Sequence, residues 1–247
     1  MHHNERMGSS TASEIRAVAT LVSAHARRVA QRGVLVGDDV PVLLVPGLMA
    51  GDWVMSHIAL QLEQRGHPTL RARIGVNIGC TRELVERLEA RLDAAAGRCR
   101  RRVAIVGWSR GGCLAKIVAL RRPALVASLT TLASPTVDPL AVSAKVERQI
   151  RVLAWMGSAG IPGVLGRDCL SGACADLMGA ELRGTLPRDI PYTSFYSRDD
   201  GVVDWRACRD PGAELVEVSG SHLTVGTNPV VVEGIAERLR RLVPRAA

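Results

Sequence analysis

The chain has 247 residues, 47% of them hydrophobic and 23% charged. That balance excludes a disordered or fibrous chain, and the length fits one α/β domain. Apolar runs such as residues 40–45 and 117–120 fall far short of the ~20 residues of a membrane span. One Phe and two Tyr are too few for a single-stranded nucleic-acid binder built on stacked aromatics.

The net charge is +8, nearly all of it arginine. These arginines are scattered (Arg27, Arg28, Arg71, Arg73, Arg121, Arg122, Arg238, Arg240), with no run of five or six like charges. The pattern is that of a solvated basic surface, and no nucleic-acid partner is expected.

In chain order, residues 14–32 read as a helix ending near Gly33. Residues 41–45 (PVLLV) form a short apolar run closed by Pro46-Gly47, the pattern of a buried strand. Residues 52–65 read as a helix capped by Asp52, with Val54, Ile58 and Leu62 on one face and Gly66 at its end. A strand follows at 68–73. A second helix starts at Thr81, carries the stripe Leu84, Val85, Leu88 and Leu92, and stops at Gly97.

Residues 103–106 (VAIV) are another buried strand, 111–121 a helix stopped by Pro123, and 125–132 a further strand. Residues 191–196 and 213–218 read as strands. The segment 229–242 reads as a helix with Val232, Ile235, Leu239 and Leu242 inward. Strands alternating with helices predict a parallel sheet covered on both faces. Only the stretch 137–190 breaks the rhythm; within it, residues 139–156 carry a helical stripe of Val142, Val146, Ile150 and Leu153.

Six cysteines are present. None forms a C-x-x-C, and no His stands at zinc-finger spacing from a Cys pair, so no metal site is expected. Cys169 and Cys174 bracket a turn containing Gly172 and would pair in an oxidising compartment. The apolar stretch 17–24 is too short for a secretory leader, and the expected location is cytoplasmic.

The chemistry sits at residues 103–112, VAIVGWSRGG. Here Gly107-Trp108-Ser109-Arg110-Gly111 is a G-x-S-x-G directly after a strand and directly before a helix, the context of a nucleophile elbow. So tight a turn needs glycines beside the serine and holds that serine in a strained conformation. The hydroxyl then stands clear at the strand's C-terminal edge, where the helix N-terminus favours developing negative charge. Downstream, residues 192–205 offer three carboxylates, Asp199, Asp200 and Asp204. His222 is the only histidine in the last two-thirds of the chain and falls between the last strand and the last helix. The other histidines read as tail (His2, His3), helix (His25, His57) and turn (His67) residues.

With these features the chain resembles the α/β-hydrolase superfamily from about residue 40 to its end, and within it the compact bacterial esterases and lipases. The resemblance implies a mostly parallel central sheet flanked by helices, with residues 1–33 as tail and first helix. Residues 34–247 would be the hydrolase domain, with a helical cap or lid insertion at 137–190. It implies a triad of Ser109, Asp200 and His222, since the family pattern sets the acid before a small residue and an apolar pair, here Gly201-Val202-Val203. Backbone N–H groups of Leu48 and Arg110 would form the oxyanion hole. The chain departs from the family's common His-Gly at Pro46-Gly47 and carries Trp108 where the family often has His.

The activity so implied is hydrolysis of a small carboxylic ester or acyl substrate through an acyl-enzyme, with no metal or organic cofactor. Met49, Trp108, Trp155 and Met156 are the pocket candidates, and Cys113 reads as a buried packing residue. The same triad would serve an acyltransferase, thioesterase or cyclase of a biosynthetic pathway, and the scaffold alone would serve a binding protein.

Overall fold

Six short segments pair into one sheet: β1 (Val42–Val45), β2 (Thr69–Arg71), β3 (Val103–Trp108), β4 (Val126–Leu132), β5 (Tyr192–Tyr196) and β6 (Glu214–Glu217). Their spatial order is β2-β1-β3-β4-β5-β6, and every neighbouring pair is parallel. The computed structural model describes residues 10–30 and 40–243. Nine α-helices are described: α1 (Ser10–Ala30), α2 (Ser56–Glu63), α3 (Thr81–Cys99), α4 (Arg110–Arg121), α5 (Ala144–Ser158), α6 (Asp168–Ser171), α7 (Ala173–Leu182), α8 (His222–Val225) and α9 (Pro229–Leu242). No described helix is long and apolar enough to cross a membrane.

Both faces of the sheet are covered, and the two-residue period of a strand decides which side chain goes where. In β1, Leu43 and Val45 enter the layer shared with Leu88 of α3, Ile117 of α4 and Met178 of α7. Val42 and Leu44 enter the opposite layer, with Leu21 of α1, Ile58 of α2 and Ile235 of α9. This is why residues 42–45 are apolar without alternation. Each fully buried aliphatic side chain is worth roughly 1.5–3 kcal/mol, so these two layers carry most of the fold's stability.

The differences from the sequence expectations have local causes. Asp52 does not cap a helix: Gly51 holds the cap of a 3-10 turn at Asp52–Met55. The Asp52 carboxylate instead accepts from the Ala72 and Arg73 amides, at 3.1 and 3.3 Å, tying this turn to the end of β2. Gly97 does not end α3, which runs to Cys99 and stops at Arg100 in the left-handed conformation (φ 49°). Nor does Thr81 supply a capping bond; its hydroxyl accepts from Arg110. Val142 lies ahead of α5 in an isolated bridge to Val203 rather than on a helical stripe. Gly33 lies outside the described residues.

One topological feature positions the loops at the C-terminal ends of β1 and β3. The chain leaves β1 for β2 on one side and returns to β3 on the other, so strand order reverses between β1 and β3. Open α/β sheets bind ligands outside the C-terminal strand ends at such a switch point. Val45 pairs with Gly107 in register, which sets Pro46-Gly47 beside the end of β3.

Candidate active site

Ser109 joins β3 to α4 with φ 55° and ψ −129°. L-residues rarely adopt this conformation, and it costs of order 1–3 kcal/mol. Surrounding bonds hold it: the Ser109 N–H donates to Leu132 O at 2.8 Å, and Ser109 O accepts from Gly112 N–H at 2.9 Å. The flanking glycines are required by space. A Cβ on Gly107 would lie 2.6 Å from Gly111 O, and one on Gly111 would lie 2.4 Å from both Val45 O and Pro46 O. The first clash is with α4's own first turn, the second with the end of β1. A Cβ on Gly47 would stand 3.1 Å from Ser109 Cβ, so the loop after β1 lies directly against the serine.

That loop is held from below by two side chains. Asn77, fully buried, donates from Nδ2 to Pro46 O at 2.8 Å, and its backbone carbonyl accepts from Met49 N–H at 3.0 Å. Arg110 donates to Asn77 Oδ1 at 2.8 Å, to Gly79 O at 2.8 Å and to Thr81 Oγ1 at 3.1 Å. Burial pushes this guanidinium below its ordinary pKa, with nearby thiols opposing the shift. Between the two bonds to Pro46 and Met49 sits Leu48. Among the described residues, neither the Leu48 N–H nor the Arg110 N–H has a protein acceptor. Two backbone donors, one in the loop packed against Ser109 and one in the residue that follows it, are thus unspent.

Beyond the ends of β5 and β6, Asp200 and His222 meet. His222 Nδ1 donates to Asp200 Oδ2 at 2.7 Å, with side-chain exposures of 10% and 2%. Asp200 Oδ1 accepts from the Val202 and Val203 amides at 2.8 and 2.9 Å. The carboxylate is therefore fully engaged and can turn only one way. The loops carrying the pair are joined by Ser197 Oγ donating to Gly220 O at 2.6 Å. Asp199 is exposed, and Asp204 caps the 3-10 turn Trp205–Cys208 through the Arg206 amide. Among the described residues no hydrogen bond joins Ser109 to His222, and none reaches Ser109 Oγ or His222 Nε2. What sets His222 beside β3 is Trp108, whose ring centroid is 6.4 Å from that of the imidazole.

The pocket candidates separate. Trp108 is buried under α8, where a Cβ on Gly226 would collide with its ring, so it supports His222 from beneath rather than narrowing an open cavity. Met49, in the loop itself, is 50% exposed, with φ 57°. Trp155 is 60% exposed and projects into solvent instead of thickening a wall, and Met156 is half-buried. From α5 it is Leu153 and Ala154, with Leu165, that pack over Leu48. The rest of the 137–190 stretch divides: Cys174, Met178 and Leu182 of α7 join the sheet layer with α3 and α4. Cys113 is buried, with its thiol pushed up to about 12 mainly by burial.

The sequence reading missed Asn77 and the side chain of Arg110. Neither carries a motif signal, because their partners are backbone carbonyls and side chains 29 to 33 residues away that only folding brings in.

No protein-family model matches the chain, and no curated protein matches it. Solved structures do. The mature Bacillus licheniformis lipase BlEst2 superposes with a TM-score of 0.60 at 14% identity, over 82% of this chain and 92% of that one. A structure of the metagenome-derived lipolytic enzymes LipS and LipT gives 0.61 at 19% identity, over 83% and 95%. The pyrethroid hydrolase PytH gives 0.51 at 15% identity, over 81% and 98%. Together with the parallel sheet and the strained serine at its switch point, these likenesses establish that the chain has the α/β-hydrolase fold.

Proposed function

We propose that the protein is a serine hydrolase of carboxylic esters, working through an acyl-enzyme with Ser109, Asp200 and His222 as its triad. The observation that carries this reading is the buried Asp200–His222 bond at 2.7 Å, which leaves Nε2 as the imidazole's one unbonded nitrogen. The names of the structural neighbours, lipases, lipolytic enzymes and a hydrolase, point the same way.

In the first half-reaction the Ser109 Oγ proton passes to His222 Nε2 as Oγ bonds the ester carbonyl carbon. The carbonyl π pair becomes an oxyanion held by the Leu48 and Arg110 amides. Collapse expels the alkoxide, which takes the proton from His222. Water then repeats the sequence on the acyl-enzyme and releases the acid. Asp200 holds the imidazole in the Nδ1–H tautomer and stabilises its charged form. One oxyanion donor is worth about 3 kcal/mol, so the unspent amides matter as much as the triad. Hydrogen bonds to the nucleophile are commonly long without substrate and tighten on binding.

The test is labelling with a fluorophosphonate together with turnover of a series of p-nitrophenyl esters. Covalent label on Ser109, and loss of both label and turnover in Ser109→Ala, are expected. Unchanged turnover in that variant overturns the reading.

A further inference from the structure

Three cysteines from two distant parts of the sequence converge at the start of α3. Cys80 precedes α3, Cys169 lies in α6 and Cys174 in the first turn of α7. Cys174 Sγ is 3.8 Å from Cys80 Sγ and 3.8 Å from Cys169 Sγ, and all three sulfurs lie within 4.8 Å of one another. All three are free thiols.

The spacing has a definite chemical reading. A thiolate–zinc bond is about 2.3 Å, so a tetrahedral zinc ion sets its sulfurs about 3.8 Å apart. A disulfide would need one pair at about 2.0 Å with the third sulfur excluded. Three mutually close sulfurs instead match three corners of one coordination sphere. Among the described residues no His, Asp or Glu joins them, so the chain supplies three thiolate ligands.

The charge around the cluster fits as well. Arg110 donates to Gly79 O and Thr81 Oγ1, the residues on either side of Cys80, and to Asn77. Its hydrogen-bond acceptors, carbonyl, amide and hydroxyl oxygens, are all neutral. Three thiolates around a divalent ion carry one net negative charge, and this guanidinium carries one positive charge.

We propose that Cys80, Cys169 and Cys174 bind one thiophilic divalent ion of the zinc class. Each thiol gives its proton to solvent as a sulfur lone pair bonds the ion, and no electron changes hands. The bound ion ties α6 and α7 to the segment before α3. That segment is the one Arg110 and Asn77 use to hold the Leu48 loop, so the site is a structural staple beside the candidate oxyanion donors.

The experiment uses the full chain, reduced and stripped with a chelator, and titrated with Cd2+ as a spectroscopic substitute. An ultraviolet thiolate-to-cadmium band saturating at one ion per chain is expected, with three protons released per ion. Zn2+ should displace the cadmium and raise the melting midpoint by several degrees. Cys174→Ser and Cys80→Ser, each verified as folded by circular dichroism, should lose the band and the shift; Cys99→Ser should keep both. No band at one equivalent in the reduced, folded protein overturns the proposal, as does a band that survives in either cluster variant. Because the readouts are spectroscopic and thermal, they stand apart from the outcome of the ester assays.

Discussion

Arg110 reaches under the loop after β1 and donates to Asn77 Oδ1 at 2.8 Å, while Asn77 in turn bonds Pro46 and Met49 on the two sides of Leu48. The residue after the candidate nucleophile thus has two tasks. Its backbone begins α4 directly after the serine, and its side chain braces the segment that holds the loop around Leu48.

Removing that support should therefore weaken turnover without removing the nucleophile. In Asn77→Ala the Pro46 carbonyl and the Arg110 guanidinium lose partners inside the protein, at about 1–3 kcal/mol of stability. If the Leu48 amide drifts, up to the roughly 3 kcal/mol of one oxyanion donor is lost from the barrier. The expected result is a fall in kcat of about 10- to 100-fold with little change in KM. Slower but still stoichiometric fluorophosphonate labelling of Ser109 accompanies it.

The strain at Ser109 makes a second prediction, of opposite sign for stability and activity. Its φ of 55° costs about 1–3 kcal/mol for a residue with a Cβ, against roughly 0.5–1 kcal/mol of extra unfolded-state entropy for glycine. Ser109→Gly should abolish ester turnover and yet raise stability by about 1 kcal/mol, read as a higher denaturation midpoint. Gly111→Ala works the other way. Its methyl would lie 2.4 Å from two backbone oxygens of the β1 end, so that variant should lose stability or fail to accumulate in folded form.

A buried ion pair beneath the sheet sets a third. Lys116 Nζ is 2.5 Å from Asp210 Oδ2, with side-chain exposures of 4% and 6%, and Asp210 Oδ1 also accepts from Gly212 N–H. Lys116→Met strands a buried carboxylate and should cost about 3–5 kcal/mol. Adding Asp210→Asn removes that charge and keeps the Gly212 bond, so the double variant should recover much of the loss. Urea denaturation of the four proteins in this cycle measures it.

Acid sensitivity should trace in part to His57. Burial holds its pKa below the ordinary 6.5, so between 6.5 and the lowered value the unfolded chain binds more protons than the native one. Stability from this group is complete above pH 6.5 and drains away as pH falls through the folded-state value. His57→Gln should flatten the decline of the melting midpoint on the acid side and leave it unchanged in the alkaline range.

The local signals were sound wherever a segment's fate depended on its own residues. Residues 42–45 and 103–106 read as buried strands because a strand covered on both faces needs no polar alternation. Residues 229–242 read as a helix because their apolar period is helical. Helix ends were less legible: α3 overruns Gly97 because nothing there demands a left-handed residue until Arg100 supplies one. Trp155 read as a wall residue only because it is large and apolar, yet its side of α5 faces water.

By itself the sequence determined the alternation of strand and helix, the G-x-S-x-G turn between β3 and α4, and His222 as the one histidine placed near a strand end late in the chain. Those depend on backbone sterics and side-chain period, which act over a few residues. Only the tertiary structure decided that Asp200 and not its neighbours meets His222, that Asn77 and Arg110 hold the Leu48 loop, and that three cysteines up to 94 residues apart share one corner. Such pairings depend on which loops the sheet order brings to the same edge, and that order is set by the packing of both layers together, not by any stretch of chain alone.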